Sequence, residues 1–262
     1  MDAKPPAAAS GTGAPLTEAQ TGLWYTQRID PANPILNTGQ YLDLAGPLDR
    51  EAFRQAVERT VEEAEALSLR FEDGPGGPVQ VVDPQRLPVL EIIDLSGEAD
   101  PQAVAMAQIE ADTNRPLDLG RDKIAAFRLY RLAPDRHFFY ERIHHLAIDG
   151  FGMVLVTNRV AEHYACLVKD TPPPSPFPPL QVALDDDLAY VASERREADR
   201  AFWHQEMAGL EPVTGMAAGR AVSGPRFNRE SRYLPAGFME RLQAFAAAAK
   251  VTWPDALTAL VA

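Results

Sequence analysis

A chain of 262 residues is long enough for one large domain or two lobes with a substantial core, and 46% hydrophobic with 24% charged residues is the make-up of a soluble globular protein. A net charge of −12, from 25 basic and 37 acidic residues, argues against a nucleic-acid or anionic-membrane partner, because phosphate recognition needs clustered Lys and Arg. No apolar run reaches the length of a membrane span. The single cysteine, Cys166, excludes an internal disulfide, fits a reducing cytoplasm and reads as a small core residue.

Residues 1–14 are small, Pro-rich and aperiodic and read as a disordered tail or linker; they lack the apolar core of a signal peptide. Thr17 and Gln20 have the spacing of a capping box, and Trp24 and Tyr25 on the helix that follows read as core. Residues 39–44 read as a strand. Asp49 is the N-cap expected for a helix with the stripe Leu48, Phe53, Val57, Thr60, Val61 and Ala64. Residues 67–72 and 79–82 read as strands across the turn signal Gly74-Pro75-Gly76-Gly77-Pro78, and residues 89–94 as another strand. Asp100-Pro101 opens a helix to about Asn114. Residues 124–132 and 137–144 form an expected hairpin across Ala133-Pro134-Asp135. Helices and strands thus alternate in the manner of an α/β lobe, a mixed sheet with packed helices. Residues 171–179 (TPPPSPFPP) read as a semi-rigid spacer. Beyond it, residues 184–209 read as one long charged helix ending at a Gly cap, with His204 on its surface, and residues 226–234 as a strand. Helices follow at Phe238, Leu242 and Phe245 and again from the capping signal Thr252 to Asp255. The apolar pattern of this last helix is unfinished at Ala262.

The stretch with the most chemistry is His144-His145-Leu146-Ala147-Ile148-Asp149-Gly150. It follows an aromatic-rich strand (HFFYERI) and precedes a helix with the stripe Met153, Val156, Val160, Tyr164 and Leu167, so two histidines sit in a strand-to-helix loop. Adjacent residues on extended backbone point to opposite faces, so one imidazole is expected to face a cleft and the other the body of the protein. A metal site is an alternative for a vicinal His pair, but opposed side chains argue against both binding one ion, and no further His/Cys cluster lies nearby. A single placed imidazole is a suitable general base. Asp149 can fix the loop through a hydrogen bond or an arginine, and Gly150 permits a positive φ or the close approach of another backbone. A purely structural His pair is the alternative; with Asp and Gly at fixed offsets, chance occurrence is on the order of one in a few thousand.

HHxxxDG resembles the active-site motif of the condensation domains of non-ribosomal peptide synthetases, relatives of chloramphenicol acetyltransferase. Thr17-Glu18-Ala19-Gln20-Thr21-Gly22-Leu23-Trp24 resembles that family's opening motif, S/T-x-A-Q-x-x-x-W. Arg115-Pro116-Leu117-Asp118-Leu119 is similar to its x-P-F-D-L loop, and Phe202-Trp203 with Ala208-Gly209-Leu210 to its FW…L-x-G-L stretch. Glu63-Ala64-Glu65-Ala66-Leu67-Ser68-Leu69-Arg70-Phe71 stands where the family has RHxxLRTxF; Glu63, Ala64 and Ser68 depart from it, which puts the usual salt bridges of that motif in question. DGFG and the altered second motif resemble siderophore synthetases such as enterobactin synthetase.

The resemblance implies a chloramphenicol acetyltransferase-like fold with 15–170 as a first lobe, 171–182 as a linker and 183–262 as the opening of a second, incomplete lobe. It implies His145 as catalytic, and His144, Asp149 and Gly150 as structural members of the active site, Asp149 holding the loop through an arginine. His145 would position or deprotonate an amine or stabilise a tetrahedral intermediate, and the residues do not choose. No bound cofactor and no metal are implied. The substrates ride on 4'-phosphopantetheine arms of donor and acceptor carrier proteins beside an adenylation domain, and the acidity of the chain argues against a purely electrostatic dock for an acidic carrier. The alternatives are a sister CoA- or carrier-dependent acyltransferase and a non-catalytic binding platform. A chain stopping inside the second lobe is expected not to catalyse alone.

Overall fold

The computed structural model describes residues 13–210 and 232–261, in two compact units divided between Arg226 and Phe227. The larger unit is built on a four-stranded sheet in the order β2-β7-β6-β5. Its strands are β2 (Asn37–Ala45), β5 (Leu90–Asp94), β6 (Ala125–Ala133) and β7 (Arg136–His144). β7 pairs antiparallel with both β2 and β6, while β5 joins β6 in parallel. A second sheet, ordered β1-β4-β3, holds β1 (Ala14–Pro15), β3 (Leu69–Gly74) and β4 (Gly77–Val82). Gly77, at φ +127°, makes the tight β3–β4 turn possible. Ala14, expected in the tail, instead pairs with Gln80.

Four helices of this unit start on side-chain caps, three of them, at Thr17, Asp49 and Asp100, where the sequence signals a cap. Thr17 and Gln20 form both halves of a capping box on α1 (Glu18–Ile29). Asp49 accepts from the Glu51 and Ala52 amides at the start of α2 (Arg50–Glu63), and Asp100 from Ala103 at the start of α3 (Pro101–Thr113). Asp149 caps α4 (Gly150–Lys169). Each such cap contributes about 1 kcal/mol.

β7 is the central strand, and its alternation divides the core. Phe139 and Ile143 point to one face, where they pack with Phe127, Leu129, Phe53 and Val57 of α2, and Met153, Val156 and Val160 of α4. Phe138 and Tyr140 point to the other, against Ala105 and Ile109 of α3. A third cluster joins Trp24 of α1, Leu69 and Phe71 of β3, Leu119, Ile124 and Leu146. Tyr25, expected beside Trp24 in the core, is 56% exposed, because successive helical residues lie about 100° apart and only Trp24 faces Phe71. Cys166 is only half-buried on α4.

The stretch expected as one long helix is two, α5 (Leu180–Val191) and α6 (Glu194–Glu206). Ser193 causes the break: its hydroxyl donates to Tyr190 O and accepts the Arg196 amide, so the backbone exchanges continuation for a fresh N-cap. Gly209 follows at φ +77°. The spacer before α5 is held to the lobe, with Arg159 donating to Ser175 O and stacking 4.0 Å from the Phe177 ring. Of the strand expected over 226–234, residues 226–231 lie outside the described residues, and 232–234 are not extended into a strand.

The smaller unit consists of α7 (Phe238–Ala249) and α8 (Trp253–Val261), packed through Leu242, Ala246 and Ala256 with Phe238 and Leu257. Thr252 and Asp255 exchange hydrogen bonds at the start of α8. No described helix is long and apolar enough to cross a membrane.

Candidate active site

His144 ends β7, and residues 145–149 carry the chain to α4. The two imidazoles part at this point. His144 is 2% exposed on the α3 side of the sheet, while His145 is half-buried.

Each ring has one tautomer its neighbours accept. The Leu146 amide donates to His144 Nδ1 at 3.2 Å, so the proton of His144 sits on Nε2, 3.3 Å from Gln27 Oε1. Gln27 presents that oxygen because its amide nitrogen faces the carbonyls of Asp30, Pro31 and Asn33. Burial, then the positive charge of Arg142, then His145, lower the His144 pKa to about 4, so it is neutral near pH 7. His145 has the opposite arrangement. Its Nδ1 lies 2.9 Å from the Ile148 carbonyl oxygen, which can only accept. In the neutral imidazole Nδ1 therefore carries the proton, and Nε2 carries the lone pair.

The loop backbone is held on three sides. The His144 amide donates to Ile124 O at 2.9 Å, the His145 amide to Leu36 O at 2.8 Å, and the Gln20 side-chain amide to Leu146 O at 2.9 Å. The Leu146 side chain is buried among Trp24, Leu69, Phe71, Leu119 and Ile124.

Asp149 is exposed, and its carboxylate accepts the Gly152 amide at 2.7 Å. No arginine pairs with it among the described residues, so the loop is fixed here by a helix cap. Gly150 also differs from expectation: it has no positive φ, and a Cβ there would meet nothing within 4 Å. The crowded glycine is Gly152, where a Cβ would stand 2.6 Å from Ile148 Cγ1 and 3.3 Å from Asp149 Oδ1. Residue order does not mark this crowding, because a glycine two residues into a helix has no turn signature of its own.

Behind the loop, β7 carries two buried charged groups. On the α3 face, Arg142 donates to Asp112 at 2.7 Å, and Tyr140 and Arg128 donate to the same carboxylate. Burial opposes the charge on Asp112, but Arg142 and Arg128 outweigh it and hold its carboxyl below the usual range. On the α4 face, Glu141 is fully buried with Gln40 and Thr157 donating to one oxygen, 2.7 and 2.6 Å away, and no partner among the described residues on the other. Burial raises its pKa.

The departures in the second motif are occupied by other pairs. Glu63 meets His163 at 2.8 Å and Arg159 at 2.6 Å on α4, Glu65 accepts the Leu180 amide, and the Ser68 hydroxyl donates to Glu65 O. Arg70 pairs with Glu72. A cavity of about 300 Å³ lies by β5 and β6, lined by Glu91, Asp112, Arg115, Lys123, Arg128 and Arg142 among others. His145 is not part of its wall. Among the described residues no group of three or more His, Cys, Asp or Glu is placed to hold a metal ion.

The family model for the condensation domain matches residues 11–262. The chain belongs to the condensation-domain family. Among relatives, this condensation domain is 38% identical over 248 residues to a dimodular nonribosomal peptide synthase of Bacillus subtilis, covering 94% of the chain and 10% of the relative. It is 30% identical over 253 residues to enterobactin synthase component F of Shigella flexneri, covering 94% and 20%. Among solved structures, the first condensation domain of the calcium-dependent antibiotic synthetase, in complex with a substrate analogue, superposes with a TM-score of 0.79 at 33% identity, over 94% of this chain and 59% of that one. A starter condensation domain of rhizomide synthetase, in complex with C8-CoA, superposes at 0.76 and 32% identity, over 80% and 49%. The chain thus spans about half the length of these solved condensation domains and a tenth to a fifth of the curated relatives. The shared architecture is the chloramphenicol acetyltransferase-like fold, and condensation domains are acyltransferases that form amide bonds in non-ribosomal peptide synthetases.

Proposed function

We propose that this domain joins an acyl or peptidyl thioester on one carrier protein's phosphopantetheine arm to the amine of an aminoacyl thioester on another, with His145 as the catalytic residue. The observation that carries the reading is the His145 Nδ1 to Ile148 O hydrogen bond, which leaves Nε2 as a proton acceptor. As the amine nitrogen attacks the thioester carbon, the C–N bond forms and Nε2 takes the amine proton. When the C–S bond breaks, the proton passes to the departing thiolate, so the products are an amide and a free phosphopantetheine thiol. In this tautomer Nε2 cannot donate to the tetrahedral oxygen until it has been protonated, which favours the acceptor role over oxyanion stabilisation as the first event.

His144, Asp149 and Gly150 serve the site through the loop rather than through the reacting atoms. No metal or tightly bound cofactor takes part. The partners are donor and acceptor carrier proteins and a neighbouring adenylation domain. A cytoplasmic setting agrees with the lone cysteine, and the DGFG variant with the likeness to enterobactin synthase component F supports a siderophore-type assembly line.

A second reading is transfer from acyl-CoA, favoured by the likeness to a starter condensation domain in complex with C8-CoA. The test supplies the synthetase with a loaded acceptor carrier and with the donor either as a carrier thioester or as acyl-CoA, and follows the amide by intact-protein mass spectrometry. Product from the carrier-bound donor is expected. Product from acyl-CoA alone selects the second reading, and no product from either donor with fully loaded carriers overturns both.

A further inference from the structure

We propose that Gln20 is a positioning residue for His145, acting from α1 through the carbonyl of the next residue, Leu146. The inference rests on the reading of His145 as the catalytic residue.

Gln20 makes four contacts with its single amide. Its oxygen accepts the Thr17 amide at 3.0 Å, the inner half of the α1 capping box, and Gln80 Nε2 at 2.8 Å. Its nitrogen donates to Gln80 Oε1 at 3.0 Å and to Leu146 O at 2.9 Å. Gln80 is 2% exposed on β4, and its nitrogen also donates to Pro15 O at 3.0 Å in β1. The two glutamines thus form a reciprocal amide pair that anchors the carbonyl of Leu146 to the start of α1 and to the second sheet. An amide saturates both of its sides here, and no other side chain of this length both donates and accepts in this way.

The consequence for His145 is geometric. Its own amide is tied to Leu36 O, and the carbonyl of the following residue, Leu146, is tied to Gln20, so both ends of the two-residue segment are fixed. The imidazole closes the far side of the same turn onto Ile148 O. Releasing Leu146 O frees the segment that sets the ring's direction. A displacement of about 1 Å of a reacting group costs up to a hundredfold in rate.

Gln20→Glu separates this role from helix capping. A carboxylate at this position keeps an oxygen for the Thr17 amide and Gln80 Nε2, but in place of the N–H it sets an acceptor against Leu146 O and Gln80 Oε1. The variant is made in the synthetase beside His145→Ala. Gln20→Glu is expected to lower kcat roughly ten- to a hundredfold with KM for the loaded acceptor carrier nearly unchanged, while α1 keeps its melting behaviour. Imidazole nitrogen NMR shifts of His145 give a readout independent of turnover. The wild type is expected in the Nδ1–H tautomer, and Gln20→Glu as a mixture.

Gln80→Met leaves Gln20 in place but removes its anchor, and is expected to give a smaller change in both readouts. It decides the question if Gln20→Glu fails to fold. A wild-type kcat and an unmixed tautomer in the folded variants overturn the proposal while leaving His145 untouched. If His145→Ala retains wild-type turnover, the catalytic reading fails even where the tautomer of His145 still responds to Gln20.

Discussion

His145 Nδ1 and the Ile148 carbonyl oxygen, 2.9 Å apart, close a turn in which the imidazole is fixed by the residue just before the cap of α4. Ring direction and helix start are therefore one structure. Whatever moves Ile148 moves the histidine, and a side chain at Gly152 would press directly on Ile148.

Gly152→Ala places a methyl group 2.6 Å from Ile148 Cγ1, closer than real carbons approach. The expected outcome is a loss of about 1–3 kcal/mol from overpacking together with a fall in turnover, because the shift is handed on to the His145 hydrogen bond. Gly150→Ala, which meets nothing, is expected to leave stability within about 1 kcal/mol of wild type, since alanine is the better helix former. Urea titrations of the two variants check the contrast, and equal effects would show that Ile148 is not the conduit.

Asp149→Asn keeps an oxygen for the Gly152 amide and is expected to melt close to wild type, whereas Asp149→Ala loses the cap and about 1 kcal/mol. If Asp149 acts only by ordering the loop, turnover follows stability in both. A collapse of turnover in Asp149→Asn at an unchanged melting temperature assigns the carboxylate charge a role beyond the cap.

The neutral state of His144 makes stability depend on pH in a definite sense. Its folded pKa, about 4, lies below the value near 6.5 of an unfolded histidine. Over that interval the unfolded chain binds the extra proton, so the contribution is fully present above about pH 6.5 and is lost as pH falls toward 4, at no more than about 1.4 kcal/mol per pH unit. A His144→Gln variant, if it folds, is expected to show a flatter dependence of melting temperature on pH across this window. An unchanged slope would show that His144 is not the group responsible.

Glu141 acts in the opposite direction. Burial raises its folded pKa, so between the unfolded value near 4.5 and the folded value the native state holds the extra proton, and stability falls as pH rises. Glu141→Gln removes the charge and keeps an acceptor for Gln40 and Thr157. It is expected to melt above wild type at pH 8 and level with it at pH 4. A wild type more stable than the variant at pH 8 would mean that the carboxylate is compensated by a cation.

Much of this arrangement could be read from residue order. Capping signals at Thr17, Asp49 and Asp100, alternation in the strands, and the opposed faces of adjacent histidines are local, and local geometry is what sequence periodicity reports. The features missed depend on tertiary contact. Gln20 reaches Leu146 across 126 positions, and its spacing announces only a helix cap. Gly152 looks unremarkable until Ile148 is folded against it. Ser193 divides a continuous charged helical pattern because its hydroxyl can serve both Tyr190 O and the Arg196 amide. Glu63, which replaces a basic residue of the family pattern, finds its partners a hundred residues away on α4, at Arg159 and His163.

The central claim is that Nε2 of His145 takes the amine proton. The most direct measurement is single-turnover amide formation between loaded carriers by the His145→Ala synthetase, with its melting curve recorded alongside. The expected result is a hundred- to ten-thousandfold loss of rate, the usual range for removing a general base, in a protein that melts within a few degrees of wild type. Near-wild-type amide formation by folded His145→Ala would contradict the account.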